Sequence, residues 1–486
     1  MLFNSYVFLF MFLPVCLAGF YLLCRISPRL GMFWLSAMSI VYYGWWEPPY
    51  LLLLFVSVAL NYSSACAIAH YRAVDATRGA RMVLVAALLA NLLLLGYFKY
   101  FDFLLGIINQ AAGTGLPLRH IVLPLAISFY TLVQIAFLCD IYQGKVADLN
   151  LPNYVLFVTF FPHMIAGPII HHSEMMPQFR ELSSAGPRPG QLARGLFLFV
   201  IGLFKKVCIA DSLAVASDAG FRNAHALDMA GGWMTALCYQ LQLYFDFSGY
   251  SDMAIGLALM FGIVFPLNFN SPYKATDIRD FWHRWHMTLS RFLRDYVYVP
   301  AGGNRAGRWL TYRNLLLTFV VGGIWHGAGW PFLIWGIMHG AAMAAQRLWS
   351  QGGRRLPMAI GWLLTFVFVM LAFVMFRAPD TGVALTIYGA MLDVGSLSGS
   401  ALLGWRIDAT GTEFLSWIDA LDFARLGFSG WVFVAVCLGI CVSARNSNEW
   451  SVQFRPDAWH GLLAVAMLLL SVLALAGDSP FIYFQF

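Results

Sequence analysis

Long stretches of this chain contain no Asp, Glu, Lys or Arg, and that absence limits its folding more than any other feature. Gly31–Trp46, Pro48–Tyr71, Met82–Phe98 and Asn314–Gln346 are free of all four. A bilayer core about 30 Å thick is crossed by roughly 20 apolar residues in a helix, so several of these runs are long enough. Further apolar runs, some interrupted by isolated charges, follow at 118–138, 192–216, 230–264, 358–376, 429–443 and 458–476. Only 11% of residues are charged, less than half of the roughly 25% usual in soluble domains. The pattern predicts an all-α polytopic membrane protein of about eleven transmembrane or re-entrant helices. Without a Ser/Pro linker or a fixed-period repeat, one membrane domain over 1–486 is expected.

Charge placement predicts orientation. Met1–Ser5 carries no positive charge, whereas Arg25 and Arg29 follow the first apolar run. That order reads as a membrane segment rather than a cleaved leader, with the N-terminus outside. The connection Trp46–Pro49 has no Lys or Arg, and the next, "HYRAVDATRGAR", has three arginines, so the alternation is self-consistent. The net charge of +6 fits a basic cytoplasmic face and gives no reason to expect nucleic-acid binding. Eight cysteines without a CxxC pair lie mostly in apolar runs and read as packing residues.

Ionisable groups concentrate where the apolar runs stop. Residues 281–300, "FWHRWHMTLSRFLRDYVYVP", belong to a polar interval, 268–313, that holds eight of the thirty Lys and Arg. If 280–294 is one helix, Trp282, Trp285, His286, Leu289 and Leu293 share a face. Asp280–Arg284 and Arg291–Asp295 are then spaced for i,i+4 pairing. Such a helix either anchors the chain at the interface or holds an anion. A straight helix over the 33 residues of Asn314–Gln346 would reach about 50 Å, too long for one span. "GGIWHGAGWP" in its middle predicts two segments meeting near Gly327–Pro331, with His326 at the break. A histidine in an uncharged membrane run is read first as functional, and second as a bridge between helices. In its neutral form it accepts a proton, as a general base requires.

"FWHRWHMTLSRFLRDYVYVPAGGNR" followed by "GGIWHG" resembles the membrane-bound O-acyltransferase (MBOAT) family. "FPHMIAGPI", "KKVCIADSLA", "YFDFSGYSDMAIGLALMFG" and the terminal "SPFIYFQF" extend the likeness along the chain. They resemble its branch that serves bacterial polysaccharide O-acetylation, as of alginate or cellulose. His283 departs from the usual "FWRRWH" pattern by replacing an arginine, which removes one cationic contact.

The resemblance implies helices around a central funnel or tunnel in the bacterial inner membrane. It also implies acyl transfer from cytoplasmic acetyl-CoA, used as a substrate with no tightly bound cofactor. His326 matches the hallmark histidine, as base or transient acyl carrier, and His286 matches its upstream polar partner. His286 would orient the donor or stabilise the developing oxyanion. Arg279, Arg284, Arg291 and Arg294 are candidates to hold the coenzyme phosphates, with Trp285 and Trp325 beside the two histidines. The acetyl group would pass to periplasmic or membrane-anchored partner proteins and a polysaccharide.

Other polar residues carry two readings. His163, His339 and Asp246 are candidates to line the funnel. His163 is equally a helix bridge, and Asp246 with Asp252 reads as a hydrogen-bonded structural acid. His171–His172 with Glu174, and His283 with His286, are weak metal patterns, and no metal is expected. Lys205–Lys206 reads as a cytoplasmic membrane boundary. The competing class is a proton-coupled transporter or lipid-carrier flippase, and a third is a silent scaffold. One broken segment without a matching second half weighs against transport.

Overall fold

In hydrocarbon every backbone N–H and C=O must find a partner within the protein, and a helix provides this within a single segment. The computed structural model describes residues 1–46, 48–146, 149–165, 167–185, 190–305, 307–353, 356–396 and 429–475, and every regular element among them is helical. A wide π-helical turn, Phe8–Phe12, leads into α1 (Leu13–Ile26). There follow α2 (Pro28–Gly44), α3 (Tyr50–Ala73), α4 (Thr77–Ala112), α5 (Ile127–Tyr142), α6 (Leu151–Thr159), α7 (Phe161–Met164), α8 (His172–Ala185) and α9 (Gly190–Phe204). A second π turn, Lys205–Ala210, joins α9 to α10 (Asp211–Arg222). Next come α11 (Met229–Met260), α12 (Ile278–Trp282), α13 (Met287–Leu293), α14 (Arg308–His326), α15 (Trp330–Gln351), α16 (Met358–Arg377) and α17 (Thr381–Leu392). The last are α18 (Ser429–Ser443), α19 (Ser447–Gln453) and α20 (Ala458–Leu473).

Among the described residues four helices are long and apolar enough to cross a bilayer: Phe8–Ile26, Tyr50–Ala73, Thr77–Ala112 and Met358–Arg377. Gly430–Ser443 and Ser447–Gln453 add a pair bent by 54°.

The chain forms two compact units. The first comprises Met1, Tyr6–Leu196 and Ala254–Pro266; the second comprises Leu2–Ser5, Phe197–Met253 and Leu267–Phe486. The first is turned inside out relative to a soluble domain. Leu52, Phe55, Val56 and Leu60 of α3, with Met82, Leu89, Leu92 and Leu93 of α4, are exposed. Several of its polar side chains are interior: Asn61 and Asn91 exchange amide hydrogen bonds of 3.2 and 2.7 Å. Gln134 donates to Ser57 at 2.9 Å and accepts from the Tyr154 hydroxyl at 3.0 Å. Lipid outside and hydrogen-bonded polar contacts between helices inside is the expected membrane pattern.

The second unit holds most of the ionisable candidates. α14 and α15 meet at the expected break, between His326 and Trp330, and fold back on each other as a hairpin. Tyr312, near the start of α14, donates to Gln351 at the end of α15 across 3.1 Å. At the other end the backbones nearly touch: a Cβ added at Gly336 would stand 2.5 Å from the Phe319 carbonyl oxygen, and one at Gly323 would strike that of Phe332. Because these obstacles are main-chain atoms, the clash has no rotamer to relieve it. We expect Gly336→Val to destabilise the protein by at least about 1–3 kcal/mol. Thermal unfolding in detergent measures this, and an unchanged midpoint would mean that the crossing is looser.

α9 and α11 also meet through glycine, within the second unit. A Cβ at Gly249 would lie 2.7 Å from the Gly202 carbonyl oxygen. One turn further along α9 the π turn carries Lys205 and Lys206, expected above to mark a membrane boundary. Both form interior ion pairs. Lys205 Nζ lies 2.8 Å from Asp252, and Lys206 Nζ lies 2.6 Å from Asp246 and 2.8 Å from Asp211. The glycine contact brings the backbones close enough for the lysines to reach acids on α11 rather than solvent.

Candidate active site

Residues 280–294 do not form the continuous helix that their spacing suggests. α12 ends at Trp282, a turn over 283–286 follows, and α13 starts at Met287. His286 occupies the left-handed region, φ 41° and ψ 52°, which few non-glycine residues adopt and which tends to persist where surrounding structure enforces it. The enforcement comes from residues 268–270. Asn270 N donates to the Arg284 carbonyl and Met287 N to the Asn268 carbonyl, both at 2.9 Å. The Asn268 side chain completes the clamp. Its Oδ1 lies 3.0 Å from His286 Nδ1 and accepts from Thr288 Oγ1 at 2.9 Å, while its Nδ2 donates to Ser251 Oγ at 3.2 Å.

The burial inferred from the spacing survives the break: Trp282, Trp285, His286, Leu289 and Leu293 are all buried. Of the two expected ion pairs, Asp280–Arg284 forms at 2.8 Å. The other does not, because Asp295 is taken by the adjacent Arg294 in a two-pronged contact of 2.7 and 3.1 Å.

His326 ends α14 at the tip of the hairpin, and it is buried. Aromatic rings surround it: Trp325, Trp335 and Phe376 have centroids 4.9, 5.1 and 5.2 Å from its own. Trp335 in turn packs on His339, 4.7 Å away. Trp282 donates its indole N–H to His339 Nδ1 at 3.2 Å. An indole nitrogen only donates, so the proton of neutral His339 resides on Nε2. Trp285 lies 5.6 Å from Phe281 in a stacked contact and 5.0 Å from Phe269, within the aromatic packing around His286. His286 itself meets Phe247 edge-on at 4.7 Å. A continuous series of rings, Trp335, Trp282, Phe281 and Trp285, therefore runs from the His326 cluster toward that of His286.

α11 serves the site with one face and the lysines with another. Phe247 and Ser251 face the His286 turn, whereas Asp246 and Asp252 hold Lys206 and Lys205. Asp246 is thus an ion-pair partner on the lysine side. In the first unit, His163 Nε2 stands 2.8 Å from the Phe157 carbonyl oxygen, satisfying an acceptor in the last turn of α6. Glu174 accepts from the His171 backbone N–H at 3.2 Å, the His171 ring nitrogen stands 4.0 Å from Asp140, and His172 packs on Phe137.

The basic interval is partly spoken for by structure. Lys274 donates to the Ala444 carbonyl at 2.7 Å, and Arg313 to Asn314 Oδ1 at 2.9 Å. Arg284 and Arg294 are exposed or half-buried and carry carboxylate partners, whereas Arg279 and Arg305 are exposed with no ion-pair partner among the described residues. Asn268 and Trp335 were not singled out by the sequence reading. Both are uncharged, so a census of ionisable groups passes over them. The amide in the Pro-bounded "FPLNFNSP" just ahead of the histidine stretch was the available signal.

Comparison of the sequence with known proteins identifies a family. Residues 120–379, which include His163, His286, His326 and His339, fit the profile of MBOAT, the membrane-bound O-acyltransferase family. The chain is 42% identical to the peptidoglycan O-acetyltransferase of Helicobacter pylori, over 100% of this chain and 98% of that one. It is 41% identical to the probable alginate O-acetylase AlgI of Pseudomonas aeruginosa over the full length of both. Similarity to the teichoic acid D-alanyltransferase of Bacillus subtilis is lower, 26% identity over 54% of this chain and 70% of that one. The buried histidines thus stand in a multi-pass helical acyltransferase, and the chain belongs to the membrane-bound O-acyltransferase family.

Proposed function

We propose that this protein takes acetyl from cytoplasmic acetyl-CoA and passes it across the inner membrane for O-acetylation of an extracytoplasmic polysaccharide. The observation that supports this most is the position of His326, buried at the tip of a helical hairpin inside an aromatic wall. In the proposed step His326 takes the proton of an acceptor hydroxyl. The freed oxygen attacks the thioester carbonyl, the carbon–sulfur bond breaks, and the coenzyme leaves as a thiolate that is then protonated. A base so placed supplies roughly 10²–10⁴-fold in rate. The proposed frame is about eleven crossings around a central funnel with the N-terminus outside. A periplasmic or membrane-anchored protein would receive the acetyl group.

Alginate or cellulose is the proposed class of polymer. The identity to a protein named for peptidoglycan O-acetylation favours a second reading, in which a cell-wall glycan is the final acceptor. Arg279, exposed and without an ion-pair partner among the described residues, is the foremost candidate to meet the coenzyme phosphates. Arg284, Arg291 and Arg294 would add to the same field.

Purified protein with labelled acetyl-CoA tests the reading, with CoA release as the signal. Donor binding through exposed arginines should weaken with salt, since the screening length falls from about 10 Å at 0.1 M to about 3 Å at 1 M. We expect KM for acetyl-CoA to rise several-fold across that range. A flat response would remove the basic interval from the donor site, and movement of substrate without CoA release would favour transport.

A further inference from the structure

We propose that Asn268 is a positioning residue that locks His286 as its Nδ1–H tautomer, so that Nε2 meets a bound substrate as a hydrogen-bond acceptor. The tautomer follows from one donor that cannot change its role. Thr288 N, a backbone N–H, points at the same Asn268 atom from 3.4 Å, with Thr288 Oγ1 at 2.9 Å. A backbone N–H only donates, so that atom is the carbonyl oxygen and the amide NH₂ is the group on Ser251. His286 Nδ1, 3.0 Å from that oxygen, must then carry a proton. Neutral imidazole has one N–H, which leaves the lone pair on Nε2.

The ring is not free to turn away from this arrangement. Its backbone sits in the left-handed region, clamped on both sides by the 2.9 Å bonds to residues 268 and 270, and Phe247 abuts its face. The opposite tautomer is enforced at His339, where an indole N–H occupies Nδ1. Two buried imidazoles of one unit are thus set in opposite hydrogen-bonding senses by neighbours that are never charged.

This deepens the acyl-transfer reading, on which the word substrate depends. Of the two roles open to His286, it selects orientation of a substrate N–H or O–H. Stabilisation of an oxyanion would need a donor at Nε2, which this neutral tautomer does not have. The oxyanion must then be met by another group.

The nitrogen resonances of ¹⁵N-histidine-labelled full-length protein in nanodiscs read the tautomer without turnover. The His286 signals are identified by their loss in His286→Gln. At neutral pH we expect a protonated Nδ1 and an unprotonated Nε2. Asn268→Leu should release the lock, bring in an Nε2–H population and slow CoA release from labelled acetyl-CoA by roughly 10–100-fold. Asn268→Asp keeps an oxygen acceptor, and should preserve the tautomer and restore most of the rate. That recovery distinguishes tautomer control from simple support of the turn. A wild-type protein with Nε2–H, or an Asn268→Leu spectrum identical to wild type, would overturn the proposal. The expected spectrum in a wild-type protein that releases no CoA would instead uphold the lock and reject acyl transfer.

Discussion

Replacing His326 by alanine should lower acetyl transfer by about 10²–10⁴-fold while the protein remains inserted and folded. The location supports that separation of effects. His326 is the last residue of α14, where alanine continues a helix at no cost in propensity. The hairpin below it is held by contacts that do not involve the imidazole, including the Gly323 and Gly336 approaches and the Tyr312–Gln351 bond. Removal of the ring leaves Trp325, Trp335 and Phe376 without one neighbour, a packing loss that lowers the melting point without dismantling the hairpin. His339→Ala is the useful contrast. It leaves the Trp282 indole N–H without its acceptor at a buried position, so it should cost stability as well as activity. CoA release from labelled acetyl-CoA, compared with a size-exclusion profile in the same detergent, separates the two. A His326→Ala protein that turns over at the wild-type rate would remove this residue from the chemistry. One that fails to accumulate in the membrane would make it a structural histidine.

The sequence was most legible where a single physical rule acts. Absence of charge over Pro48–Tyr71 and Met82–Phe98 led to α3 and α4, because nothing in those runs offers an alternative to a helix in lipid. The break at Gly327–Pro331 was legible for a similar reason, length against membrane thickness. It was less legible where a distant segment decides. Residues 280–294 carry good helical spacing, yet the backbone of Asn268–Asn270 competes for the groups around Arg284 and Met287 and bends the chain at His286. Local periodicity cannot report a partner that lies fourteen to twenty positions away. The partners of Lys205–Lys206 were hidden for the same reason. Adjacent lysines at the end of an apolar run read as a boundary signal, and nothing local announces that α11 supplies carboxylates at Asp246 and Asp252.

That lysine cluster carries the second large effect. We expect Lys206→Met to destabilise the protein by about 3–5 kcal/mol, the usual consequence of removing one partner from a buried charge pair. Lys206 and Asp246 are each only 2% exposed, and Lys206 contacts a second carboxylate, Asp211. Without the ammonium, the Asp246 and Asp211 carboxylates lose the cation they share. Methionine preserves most of the side-chain volume, so the loss is electrostatic rather than a cavity. The same logic predicts partial recovery in Lys206→Met/Asp246→Leu, since replacing a buried pair with apolar groups is often neutral or better. Activity should fall with stability in the single variant. α11 bears Asp246 beside Phe247 and Ser251, so strain at the lysine face is transmitted to the neighbours of His286 and Asn268. Thermal unfolding of wild type, the single variant and the double variant orders the three. A single variant as stable as wild type would show that the ammonium is not needed to hold these acids. A double variant less stable than the single would show that the aspartate has structural partners that outweigh its lost cation.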